Sequence, residues 1–263
     1  MGNSPEQKIW RYMDIPKFIS LLTTRSLYFA CPSELGDPYE GFLPKIQANA
    51  LSEVTQRLVD DILSWRPDFA AKSVDSLAMF DNRMMGDLQT RIRGASAKAA
   101  AKFGVSCWHI NEHESDAMWK IYAASGKGVA VESTVENLKA SFGGRKGIQI
   151  DAVRYDFDDP VIEKGHKHYL LFQKRKCFEH EKELRATILL PDEGRGMPVL
   201  CDLDTLVIRV WISPLLENYA RDVIEALCLG TVQPLLKPVM RSQILTRPDY
   251  GIQVDVGPKA VPA

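Results

Sequence analysis

The chain has 263 residues, 45% of them hydrophobic, with 33 Lys plus Arg against 34 Asp plus Glu. That length and apolar content suffice for one large buried core and do not have the composition of a disordered chain. The even charge balance excludes the broad basic field by which a protein gathers nucleic acid without regard to sequence.

The five cysteines, Cys31, Cys107, Cys177, Cys201 and Cys228, are odd in number, dispersed and set in apolar surroundings. They read as buried reduced thiols rather than a disulfide framework. The opening MGNSPEQKIWRYM lacks an apolar signal segment, and no apolar run reaches the length of a membrane span. A cytoplasmic protein with no membrane partner is expected.

Along the chain, Ile9 to Met13 reads as a strand, and Asp14 with Pro16 as the start of a short helix carrying Phe18, Ile19, Leu21 and Leu22. Arg25 and Ser26 break that helix before a second strand, Leu27 to Ala30. Cys31 to Gly41 is rich in turn formers and reads as a structured loop. Residues 45–102 have helical character, broken near Pro67, and read as an insertion or lid between early strands. Phe103 to Ile110 reads as a strand, and Ser115 or Asp116 caps a helix with Met118, Trp119 and Tyr122 on one face. Beyond the turn at Gly126 to Gly128 come a strand from Val129 to Glu132 and a short helix from Thr134. A strand from Ile148 to Tyr155, a helix from Pro160 to Lys176 and strands at Glu183 to Leu190 and Leu206 to Ile212 follow. A helix from Leu216 to Leu229 and an apolar segment from Leu235 to Leu245 precede a tail at 250–263. Short strands with unequal helices lack the regular rhythm of a doubly wound fold. The expectation is a single α+β domain, 1–263, on a mixed or largely antiparallel sheet.

No Walker loop, dinucleotide G-x-G-x-x-G, G-x-S-x-G elbow or H-E-x-x-H occurs. Cys107, His109 and His113, the pair Cys177 and His180, and the pair His166 and His168 each fall short of a complete zinc spacing, so no metal is expected.

Several blocks together resemble the bacterial domain-of-unknown-function family 2971. They are W-R-Y-M, L-Y-F-A followed by C-P-S-E-L-G-D-P-Y-E-G, S-C-W-H-x-N-x-x-E-S-x-A-M-W-x-x-Y with G-V-A-V after it, and F-E-H-E-K-E-L-R-A-T. The match runs from about Ile9 to Ile188 and implies no activity. The order of polar groups is also similar to that of ADP-ribosyltransferases of the Arg-Ser-Glu type. These carry an Arg on the first strand, a Ser-Thr-Ser strand in the middle and a Glu-x-Glu pair before a late strand. Arg11, Ser106 and the acids Glu179, Glu181 and Glu183 follow that order, although the middle strand reads Ser106-Cys107-Trp108 and the acidic segment is open to an offset of one pair.

That resemblance implies NAD as substrate, with ADP-ribose passed to a protein or nucleic-acid acceptor or to water, in a toxin or antiviral effector. Chemically, an oxocarbenium-like ribose needs a carboxylate beside it, for which Glu183 or Glu181 are the candidates, with Ser106 as their companion. A diphosphate suits the fork of Arg11, and Arg185 is placed to brace the carboxylate. Tyr12, Trp108, Trp119 and Tyr122 supply rings for stacking on nicotinamide. Two other readings stand beside this one. The aromatic block and the Cys31 to Gly41 loop form a non-catalytic ligand or protein-binding module, or Asp37, Glu40 and Glu183 converge around Mg²⁺ in a phosphodiesterase or nuclease.

Overall fold

The computed structural model describes residues 4–41, 91, 94–156 and 169–245. Strand β1 (Lys8–Met13) leads into helix α1 (Ile15–Thr24). The Asp14 carboxylate accepts from the Lys17 N–H at 2.8 Å, satisfying one of the donors that a helix start leaves open. Arg25 ends the helix in a left-handed conformation, φ 45°, and β2 (Ser26–Phe29) follows. After the loop at 31–41 the described chain continues through β3 (Phe103–Ile110), α2 (Asp116–Tyr122), β4 (Val129–Thr134), α3 (Val135–Ala140) and β5 (Gln149–Ala152). Ser115 and Thr134 cap α2 and α3 through their hydroxyls, which accept from the Met118 and Asn137 N–H groups. The remaining elements are β6 (Glu183–Leu189), β7 (Met197–Leu200), α4 (Leu203–Leu206), β8 (Arg209–Ile212), α5 (Ala220–Leu229) and β9 (Val239–Arg241).

Among the described residues, seven strands form one mixed, mostly antiparallel sheet in the order β5-β6-β3-β1-β4-β8-β9, in which β8 and β9 run parallel. Strands β2 and β7 pair apart from it. The architecture is α+β. Alternation along β1 sends Ile9 and Met13 into the main core and Trp10 and Tyr12 to the opposite face. The main core joins the sheet to Phe18, Leu21 and Leu22 of α1, Leu138 of α3 and Leu27 and Phe29 of β2. Each such side chain contributes about 1.5–3 kcal/mol by leaving water. On the second face Trp10, Tyr12, Met118, Trp119, Ala123 and Ala130 pack beneath α2.

The turn from α2 into β4 depends on Gly128. A Cβ there would overlap the Met13 carbonyl oxygen and press on the Ala123 Cβ at 3.0 Å. Gly128→Ala should therefore cost about 1–3 kcal/mol, the usual range for overpacking. Chemical denaturation checks this, and an unchanged midpoint would disprove the close approach.

Several sequence expectations need adjustment. The strand expected over Ile148 to Tyr155 is only Gln149–Ala152, and the one expected from Leu206 begins at Arg209, after the single turn of α4. Most of the helical insertion at 45–102 and the tail at 250–263 lie outside the described residues, although 94–100 are helical. Of the helix expected from Pro160 to Lys176, the described part is a 3₁₀ turn, Tyr169–Phe172, then non-helical chain at 173–175 and the start of a second 3₁₀ segment, Lys176–Glu181. No helix among the described residues is long and apolar enough to cross a membrane.

Candidate functional site

The site arises where the sheet opens. Strands β1 and β3 pair only at Ile9 with Ile110 and Trp10 with His109. Farther along β3, its edge is taken by the end of β2, where Ala30 and Val105 exchange backbone hydrogen bonds at 2.9 and 2.8 Å. Between these two contacts lies a fork, and a cavity of about 480 Å³ occupies it. That volume lies in the range of small-molecule sites.

Arg11 stands at one wall of the fork. Its guanidinium donates to the Ser106 hydroxyl, to the Cys107 carbonyl at 3.2 Å and to the Tyr28 carbonyl at 3.4 Å. It thereby satisfies β3 backbone that β1 has left unpaired. All three acceptors are neutral, and among the described residues no carboxylate pairs with it. Burial pulls its pKa below the ordinary arginine value, as expected of a cation short of counter-charge.

Another part of the lining is acidic. Glu181 and Glu183 line the cavity, and behind them Glu40, Lys174 and Arg185 complete a buried network. Arg185 donates twice to Glu183 Oε2, at 2.9 Å from Nε and 2.6 Å from Nη2. It meets Glu40 bidentately at 2.8 and 2.7 Å and the Leu171 carbonyl at 2.7 Å, so all five of its N–H donors are used. Lys174 bonds Glu181 and lies 3.6 Å from Glu40 and 3.7 Å from Glu183 Oε1. Three carboxylates thus face two cations, a formal excess of one negative charge.

Burial alone would raise the Glu183 pKa, but Arg185, Lys174 and a hydrogen bond from the Cys107 thiol bring it below the ordinary carboxylate value. Burial likewise opposes the charge on Arg185 and Lys174, and in both the neighbouring acids overcome it and raise the pKa. The Cys107 thiol is pushed well up by burial and by Glu183, so it stays protonated and able to donate.

Each candidate catalytic or NAD-binding residue has a definite place. Arg11, Tyr12, Trp108, Tyr122, Glu181 and Glu183 all line the cavity. Tyr122 is 42% exposed and donates its hydroxyl hydrogen to Glu181 at 2.8 Å, which presents its ring at the acidic wall. Trp119 does not line the cavity. It is 2% exposed, packs edge-on to Tyr12 with ring centroids 5.0 Å apart and donates its indole N–H to Glu114, so it belongs to the second core and not to a stacking platform.

Ser106 also needs correction. It pairs opposite Ala186, whereas Glu183 pairs opposite His109. Odd and even positions of β3 point to opposite faces, so Arg11, Ser106 and Glu183 do not share one face. Ser106 holds Arg11, and the β3 residue that bonds Glu183 is Cys107. Glu179 is exposed in the 3₁₀ segment before β6. Arg185 braces Glu183 as expected. Lys174 and the part played by Glu40 had no local signal in the sequence.

The histidines are dispersed. His109 is buried and its Nδ1 donates to the Glu181 carbonyl at 2.6 Å, while His113 is exposed on the following loop. Burial lowers the His109 pKa, outweighing that hydrogen bond, which keeps the ring neutral. His180 sits near the Cys177 carbonyl, and His166 and His168 lie outside the described residues. The carboxylates of the proposed Mg²⁺ site do not converge: Asp37 pairs with Arg175 at 2.7 Å, while Glu40 and Glu183 are joined through Arg185. Among the described residues no group of three or more His, Cys, Asp or Glu is arranged to hold a metal ion. No family model, curated protein or solved structure matches this chain.

Proposed function

We propose that the cavity binds NAD and that the protein breaks its nicotinamide glycosidic bond, passing ADP-ribose to an acceptor or to water. The observation that carries this reading is the polarity of the cavity. Its lining, which also includes Lys17 and Glu34, brings together a guanidinium with only neutral partners among the described residues and the edge of a buried network with one formal negative charge in excess. A dinucleotide undergoing this reaction carries the complementary charges. Its diphosphate is anionic, and positive charge grows on the ribose as the bond to nicotinamide lengthens.

In this reading Arg11 turns its fork to the diphosphate. Glu183 accepts a ribose hydroxyl through Oε1, the oxygen Arg185 leaves free, and its charge favours the oxocarbenium-like transition state over the ground state. The Tyr122 ring, fixed by Glu181, supplies a stacking surface for nicotinamide. The acceptor approaches the anomeric carbon from solvent.

The direct experiment incubates pure protein with NAD and follows nicotinamide release by chromatography, alone and with protein or nucleic-acid acceptors. Arg11→Lys should weaken NAD binding about 10- to 100-fold, corresponding to loss of a charge-assisted bond of about 1.5–3 kcal/mol. Titration calorimetry on folded variant checks this. An unchanged Kd would remove Arg11 from the site, and absence of both NAD binding and nicotinamide release in the wild type would leave the cavity as a module for another ligand.

A further inference from the structure

The loop at 31–41 delivers two acids to the same neighbourhood by different routes. Asp37 pairs with the half-exposed Arg175, while Glu40, whose side chain is 2% exposed, reaches Arg185 in the interior. Glu40 does not line the cavity. Its position therefore offers a ligand no contact, yet it takes two of the five donors of the guanidinium that holds Glu183.

We infer that Glu40 is a positioning residue that divides Arg185 between two carboxylates and so leaves the ionised Glu183 incompletely neutralised. The inference rests on the NAD-consuming reading of the cavity. Arg185 spends its Nε and one Nη2 hydrogen on a single oxygen of Glu183, Oε2. Its other Nη hydrogens are held by Glu40 and the Leu171 carbonyl. Without the Glu40 charge, the released donors turn to Glu183 Oε1, because a guanidinium and a carboxylate prefer the two-bond fork. The oxygen that the proposed reaction needs would then be occupied.

Charge leads to the same conclusion. Glu183 faces Arg185 on its own strand, Cys107 and His109 on β3, Lys174 and Glu181 from the preceding segment, and Glu40 from the loop. Tyr155 accepts from its backbone N–H at 2.8 Å, and Tyr122 approaches through Glu181. Removing the Glu40 charge leaves two carboxylates and two cations, a balanced network with less field to stabilise a growing positive charge.

The test is Glu40→Gln. At neutral pH its NAD turnover should fall about tenfold with a smaller change in KM, because Glu40 acts on the transition state and does not touch the ligand. The acid limb of the kcat/KM profile should move to lower pH, since a negative neighbour of Glu183 is gone. A second readout needs no turnover. Burial and the negative charges of Glu183 and Glu40 raise the Cys107 pKa, so alkylation of Cys107 by iodoacetamide, followed by peptide mass mapping, should be about threefold faster or more in the variant. If the wild type never turns over NAD, the NAD reading fails while the alkylation comparison still decides whether Glu40 sets the charge around Glu183. If Glu40→Gln does not fold, Glu40→Asp should shift both readouts in the same direction by less, because its shorter reach cannot span both Nη atoms. A folded variant with the wild-type alkylation rate, or with an unmoved acid limb in the presence of turnover, overturns the inference and leaves Glu40 a purely structural partner.

Discussion

Glu183→Gln should lower NAD turnover by about 10² or more while the protein remains folded. Glutamine keeps the shape of the side chain and an oxygen to accept from Arg185, and Arg185 retains Glu40 as a full counter-charge. The network then holds two carboxylates and two cations, so nothing buried is left uncompensated. What disappears is the negative charge beside the ribose, which counts most in the transition state, and NAD binding should change less than kcat. Glu181→Gln is the informative comparison. Glu181 holds the Tyr122 hydroxyl and Lys174, so its loss disturbs the stacking ring and should cost less than the loss of Glu183. If Glu181→Gln proves the more damaging, the carboxylate nearest the ribose is Glu181. If Glu183→Gln turns over NAD at the wild-type rate, neither the charge nor the residue has the proposed part.

The features legible in the sequence were those whose causes lie within a few residues. Asp14, Ser115 and Thr134 begin helices because each hydroxyl or carboxylate meets an N–H group three positions ahead. Phe103–Ile110 is rich in aromatic and β-branched residues that favour a strand, and it has the expected bounds. Strand β7 was missed because MPVL is four residues long with a proline inside, a signal against a sheet interior. It forms in a two-stranded ribbon, where Pro198 lies opposite Tyr28 and no wider ladder requires its missing N–H. At the site, the order of Arg11, the β3 residues and the late acids could be read along the chain. The face could not. Ser106 and Cys107 differ by one position, and only the register of β3 with β6 decides which of them meets Glu183. Trp119 and Tyr122 are both aromatic residues of one short helix, and tertiary packing alone sends the first into the core and leaves the second at the cavity. Glu40 and Arg185 stand 145 positions apart, and no local pattern announces their pairing.

Arg185→Met should destabilise the protein by about 3–5 kcal/mol at neutral pH, because it removes one partner from a buried ionic network and leaves the others charged. Arg185 is 1% exposed, and without it Glu40, Glu181 and Glu183 share only Lys174. A methionine of similar length fills the space, so the loss reports charge more than packing. Against a typical domain stability of about 5–15 kcal/mol this is a large fraction. The loss should depend on pH in a definite direction. In the wild type Glu183 has a depressed pKa, so its stabilising contribution is fully present above the ordinary carboxylate value of 4.5 and fades as the pH falls through the lowered folded value. In the variant Glu183 loses its principal cation while staying buried among acids, so its folded pKa rises above the unfolded value. Protonation then relieves the variant as the pH falls. The difference in stability between the two proteins should accordingly be greatest near pH 7 and narrow toward pH 4, as read by denaturation at several pH values. Adding Glu40→Gln and Glu183→Gln to Arg185→Met should recover most of the loss, since it removes the charges left without a partner. A gap that stays constant with pH, or no recovery in the combined variant, would mean that Arg185 supports the fold through packing and its bond to the Leu171 carbonyl, and not through the carboxylates it joins.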